Sequence, residues 1–117
     1  MSNDTTCNGY TNWETWHTDL LIDNTESASD QAAALGKRCA DIRAGRVAKR
    51  TYDPKRAADA FRHAFSRYGT QTRRYARENW PNEAVGEINW LEIAESHMDA
   101  ADDERAYLER KAAEQNK

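Results

Sequence analysis

Three histidines, two cysteines and a scatter of acids are the side chains here that could ligate a metal or move a proton. His17, His63 and His97 fall on three different predicted helices, and Cys7, Cys39, Asp19 and Asp23 are the other donors a site could recruit. Metal sites legible in sequence carry closely spaced pairs such as H-x-x-x-H or C-x-x-C, and the chain has neither. His17 and His97 lie beside apolar stripes, where a histidine satisfied at the core boundary is the plainer reading. Five glycines are scattered as helix stops and loop positions rather than gathered into a phosphate loop. No serine or cysteine has a recognisable nucleophile context. Asp102-Asp103-Glu104 lacks the alternating ligands and central glycine of a calcium loop. No catalytic residue, cofactor or metal is expected, and the chain reads as a non-enzyme.

Charge is more telling than catalysis. Residues 1–36 hold six acids and no Lys or Arg, residues 37–77 hold thirteen Lys/Arg against three Asp, and residues 78–117 hold eleven acids against four Lys/Arg. The formal net charge of −3 hides blocks of −6, +10 and −7. Three readings follow. The blocks neutralise one another through exposed ion pairs; or Arg46, Lys49, Arg50, Lys55, Arg56, Arg73, Arg74 and Arg77 contact phosphates, with Tyr52, Tyr68 and Tyr75 able to stack on bases; or acidic faces dock on a basic surface of another protein. For that last reading, Glu92, Glu95, Asp99, Asp102 and Asp103 recur at helical spacing and predict a negative stripe on the last helix.

The elements that must carry these groups are helices. Trp13, Trp16, Leu20 and Leu21 recur at three- and four-residue spacing, which predicts a helix over 12–23, opened by a Thr11/Glu14 capping box and stopped at Asp23-Asn24. A second helix is predicted over 30–44, with Ser27 or Ser29 as cap and a narrow stripe of Ala32, Leu35, Cys39 and Ile42. Cys39 on that stripe reads as a small buried hydrophobe. After a basic connector at 45–52, Asp53-Pro54 opens a third helix. Its face is Ala57, Ala58, Phe61, Ala64, Phe65 and Tyr68, and Gly69 is its expected stop. A short fourth helix over 71–79 would carry Tyr75 inward, and residues 81–87 could add a turn or two. Asn89, with Glu92 three residues on, predicts the start of a last helix running to about residue 113 and fraying from 102.

The expected fold is therefore all-α: one compact bundle of four to five short helices, with 1–9 as a flexible lead-in. Trp13, Trp16, Leu20, Phe61, Phe65, Trp90, Ile93 and Met98 are its expected core. A chain of 117 residues is one domain's worth. With only 38% hydrophobic residues its core is thin, and it could be a monomer or a homodimer. Two lone cysteines and the absence of a secretory leader or membrane-length apolar run predict a reduced, cytoplasmic setting.

Two blocks carry a resemblance. Asn12-Trp13-Glu14-Thr15-Trp16 followed by Leu20-Leu21-Ile22-Asp23-Asn24, together with Ile88-Asn89-Trp90-Leu91-Glu92-Ile93-Ala94-Glu95, resembles a family of small uncharacterised proteins of bacteriophages, plasmids and other mobile elements. The sequence departs from that pattern at Leu21, where tryptophan is usual, and at His17, often Asn or Leu. The family has no established catalytic residues. The resemblance implies a mobile-element context, in which small acidic proteins often inhibit host defence. The leading expectation is a non-enzymatic inhibitor of a host protein or ribonucleoprotein defence complex, of the anti-CRISPR or anti-restriction type. The other is a small nucleic-acid-binding accessory protein using residues 37–77.

Overall fold

The computed structural model describes residues 9–82 and 86–115. Among them are four helices and no strand: α1 (Trp13–Asp23), α2 (Glu26–Arg43), α3 (Pro54–Asn79) and α4 (Trp90–Gln115). The all-α bundle expected from periodicity is the fold. Residues 1–8, most of the expected lead-in, and 83–85, part of the stretch where a further turn was expected, lie outside the described residues.

α1 begins one residue later than the capping-box pattern predicts. Asn12, not Thr11, is the cap: its Oδ1 accepts from the Thr15 N–H at 2.9 Å and from Thr15 Oγ1 at 2.6 Å. Thr11 is drawn away to α4, where its N–H and hydroxyl donate to the two carboxylate oxygens of Glu92 at 2.5 and 2.6 Å. The buried face of α1 is accordingly rotated from the one its apolar residues suggest. Thr15, Thr18, Asp19 and Ile22 are inside, Trp13 and Trp16 are half-buried, and Leu20, expected in the core, is 36% exposed. Hydrogen bonding is the reason. Thr18 donates to the Glu14 carbonyl and to Thr72 Oγ1, and no buried side-chain polar atom among the described residues lacks a partner.

α2 starts at Glu26, four residues before the expected start, because only Asn24 and Thr25 are needed to turn the chain. Its inner residues are small, Ala28, Ala32, Gly36, Cys39 and Ala40, so it lies close against α4. A Cβ placed on Gly36 would stand 2.7 Å from the His97 carbonyl oxygen.

α3 differs most from expectation. It does not stop at Gly69 but runs to Asn79, absorbing the predicted fourth helix, with non-helical dihedrals at Phe65 (φ −123°, ψ 19°). Gly69 serves packing instead: its bare Cα admits Ile88 and Trp90, whose atoms would lie 2.9 and 3.1 Å from an added Cβ. Tyr75, expected inward, is 45% exposed. Phe61, Phe65, Ile93 and Met98 form the fully buried centre with Ile22, and Trp90 packs at its edge.

α4 continues unbroken to Gln115, so the expected fraying from residue 102 is not a break in the helix. From Asp103 onward every described residue is exposed, and this tail contributes to a long axis of 60 Å against 32 Å in the other two directions. The two tryptophan blocks do meet, but through polar contacts. Besides the Thr11–Glu92 pair, the Asn89 N–H donates to Thr15 Oγ1 at 2.9 Å and Asn12 donates to the Glu87 carbonyl at 2.7 Å.

Candidate nucleic-acid interface

α3 is amphipathic in charge as well as in hydropathy. Its inward side is Ala57, Phe61, Phe65, Tyr68, Gly69, Thr72 and Ala76. Lys55, Arg56, Arg62, Arg67, Arg73, Arg74 and Arg77 are all exposed, against two acids on the same helix, Asp59 and Glu78. The spacing groups these cations in two rows. Arg56, Arg67 and Arg74 are separated by eleven and seven residues, and Lys55, Arg62 and Arg73 by seven and eleven. At 1.5 Å per residue Lys55 and Arg77 stand at most about 33 Å apart along α3, the kink at Phe65 shortening the span.

Mutual neutralisation of the charge blocks accounts for little of this. Of the thirteen cations in 37–77, four have a carboxylate within 4.0 Å among the described residues: Arg43 with Asp99 and Asp102, Arg46 with Asp41, Arg56 with Asp53, and Arg73 with Glu87. Arg67 lies over the Tyr68 ring and donates to its hydroxyl at 2.8 Å. The others, Lys49, Arg50, Lys55, Arg74 and Arg77 among them, make no ion pair with the described residues.

At the start of α3 the row runs into a cleft of about 490 Å³ between α2, the 44–53 connector and α3. Leu35, Cys39, Ile42 and Ala57 supply its apolar surface, and Arg38, Lys49, Arg50 and Arg56 its cations, with Tyr52 among them. Burial raises both the Cys39 thiol and the Tyr52 phenol above their usual pKa, so both stay neutral. Lys49 holds φ at 63°, a left-handed conformation that costs a side-chain-bearing residue about 1–2 kcal/mol. Arg46 is not part of this group, because its pairing with Asp41 turns it to the other side of α2.

At the far end of α3 sits an aromatic cluster. Trp13 stacks on His17 at 4.6 Å, His17 on Tyr75 at 5.2 Å, and Trp80 stands edge-on to Trp13 at 4.9 Å and to Tyr75 at 5.8 Å. His17 also shares a 2.9 Å hydrogen bond with Thr72, and burial lowers its pKa, favouring the uncharged ring. Tyr75 and Trp80 remain 45% and 40% exposed beside Arg74 and Arg77 in the chain. The partnership of Trp80 with Trp13 crosses 67 positions of sequence, and no local pattern could have shown it.

The acidic stripe is less available than its spacing suggests. Glu92 is occupied by Thr11, and Arg43 bridges Asp99 at 3.0 Å and Asp102 at 2.8 Å. Glu95 and Asp103 are exposed and make no hydrogen bond or ion pair among the described residues.

A third grouping joins α1 to α4. Asp19, 1% exposed, accepts from the Tyr10 hydroxyl at 2.5 Å and lies 2.8 Å from His97 Nε2; Asp23 is 3.9 Å from the same nitrogen. Burial and the Asp19 hydrogen bond push Tyr10 up to about 12. Burial alone would lower His97, but the Asp19 hydrogen bond and the charges of Asp19 and Asp23 outweigh it and raise the imidazole above its usual value. Asp23 is raised by its own burial and then by Asp19. His97 is 78 positions from Asp19 and 74 from Asp23 in the chain, a separation that no local spacing pattern could bridge.

A small four-helix chain with one strongly basic helix face is the class these features define. The chain belongs to a family of unknown function, DUF7249, whose pattern spans residues 3–102. No curated protein and no solved structure matches it.

Proposed function

We propose that this protein is a non-enzymatic nucleic-acid-binding accessory protein that holds the phosphate backbone along the outer face of α3. The observation that carries the reading is the unpaired charge: nine of the thirteen cations in 37–77 have no acidic partner among the described residues, and five of those nine are on α3. A basic stripe of up to about 33 Å along α3 is comparable with one turn of duplex, roughly 34–36 Å, and the exposed Tyr75 and Trp80 add ring faces for unstacked bases. Binding of this kind is set by phosphate neutralisation and reads little sequence.

The test is fluorescence anisotropy with labelled duplex and single-stranded oligonucleotides at 50 and 200 mM salt. Six or so phosphate contacts predict a loss of about 10³-fold in affinity between the two. Replacing Arg62, Arg74 and Arg77 by Gln should flatten the salt slope by about one per cation removed. Absence of binding at 50 mM salt, or a triple variant indistinguishable from wild type, overturns the proposal.

A second reading, inhibition of a host defence complex through the acidic stripe, draws support from the exposed Glu95, Asp103 and Glu104 on α4. It is weakened by Arg43 and Thr11, which already engage three of the five acids it needs. Capture of a defence ribonucleoprotein that survives the triple Arg→Gln change but is lost on reversing Glu95 and Asp103 to Lys would favour it.

A further inference from the structure

We infer that Asp19, Asp23 and His97 form a binding site for a divalent transition-metal ion of the zinc type at the junction of α1 and α4. Asp19 and Asp23 are four residues apart on α1, so their side chains share one face of the helix. α4 brings His97 against them, and one donor atom from each residue falls within 4.8 Å of the other two. Around zinc, bonds of about 2.0–2.2 Å in a tetrahedron set donor atoms roughly 3.3 Å apart. The His97–Asp19 separation of 2.8 Å and the His97–Asp23 separation of 3.9 Å straddle that value. A small opening of the first pair and a swing of Asp23, whose side chain is 54% exposed, would complete three ligands and leave a fourth position for water.

Three further features suit an ion. One nitrogen with carboxylate oxygens is a donor set that zinc and its neighbours accept. The Tyr10 hydroxyl fixes the Asp19 carboxylate from behind, and the Phe61 ring stacks on His97 with centroids 5.6 Å apart, so two of the three ligands are already oriented. Charge is also unbalanced. Two carboxylates, one of them fully buried, share a single imidazole, and no Lys or Arg lies within 4.0 Å of either among the described residues. A divalent cation would supply the missing positive charge. The competing description is a hydrogen-bonded clamp that joins α1 to α4 and binds nothing.

Calorimetric titration of the chelator-treated full chain with zinc chloride separates the two, with cobalt(II) absorption as a report on ligand geometry. All proteins would carry Cys7→Ser to remove a competing thiol. The inference requires saturable binding of one equivalent and a melting temperature that rises with free zinc. It also requires a loss of at least roughly tenfold in affinity in Asp23→Asn and in His97→Gln, and a smaller loss in Tyr10→Phe. His63→Gln should bind as wild type. Asp23→Asn is decisive even if His97→Gln fails to fold, because Asp23 is exposed and the Asp19–His97 contact stays in place. No saturable binding at millimolar zinc, unchanged affinity in Asp23→Asn, or loss of binding in His63→Gln overturns the inference.

Discussion

Thr15 donates to Asn12 and accepts from the Asn89 N–H, so one buried hydroxyl joins the caps of α1 and α4. Replacing it by Val keeps the shape but leaves the Asn89 N–H without its acceptor. A buried polar group stripped of its partner costs about 1–3 kcal/mol, so Thr15→Val should lower stability by that amount in urea unfolding, with Thr15→Ser recovering most of it. The apolar residues divide differently from their hydropathy. Phe61 is fully buried, and Phe61→Ala should cost about 3–5 kcal/mol, whereas Leu20→Ala, at a surface position, should stay within about 1 kcal/mol. Equal losses from the two substitutions would show that the buried face of α1 is the one its leucines suggested. Those leucines explain what was legible. Trp13, Trp16 and Leu20 announce a helix correctly, because period alone fixes helicity. They point to the wrong side of it, because a face buried through Thr15, Thr18 and Asp19 is specified by partners on α3 and α4 that lie far away in sequence.

Between elements, the small residues of α2 decide how closely it can lie against α4. Two effects oppose each other in Gly36→Ala. Helix propensity favours alanine by about 1 kcal/mol. The added methyl, however, would meet the His97 carbonyl at 2.7 Å, a backbone atom that can move only if the helices part. Overpacking of this kind costs roughly 1–3 kcal/mol, so the net effect should be destabilising by about 0–2 kcal/mol. Gly69→Ala meets the ends of the Ile88 and Trp90 side chains instead. These can shift, so its melting temperature should fall less than that of Gly36→Ala. A reversed order would show that the α2–α4 crossing has slack. The same glycines show why helix boundaries were harder to read than helices. Gly69 looks like a stop because glycine so often ends a helix, yet here it is kept for the room it gives Trp90. The Asp53-Pro54 start, which depends only on local geometry, lies where the sequence placed it.

For the whole molecule, the question is whether a chain of net charge −3 can behave as a cation towards nucleic acid. The answer depends on separation. The exposed cations of α3 outnumber its acids by seven to two, while the acids of residues 78–104 are spread over the end of α3, the connector and the first half of α4. Across its shorter axes the bundle is 32 Å thick, about three Debye lengths at 0.1 M salt. At that distance opposite faces scarcely sense each other, and a polyanion approaching α3 meets the local field rather than the net charge. The protein should therefore be retained on a sulfonate cation exchanger at pH 7.5 and about 0.1 M salt, where that screening holds, although its sequence isoelectric point is near 5.6. It should elute within a few hundred millimolar salt, and the Arg62, Arg74 and Arg77 triple Gln variant should pass through. Wild-type protein in the flow-through at about 0.1 M salt would mean that the charge blocks cancel in solution, and the basic face of α3 would lose its claim to a polyanionic partner.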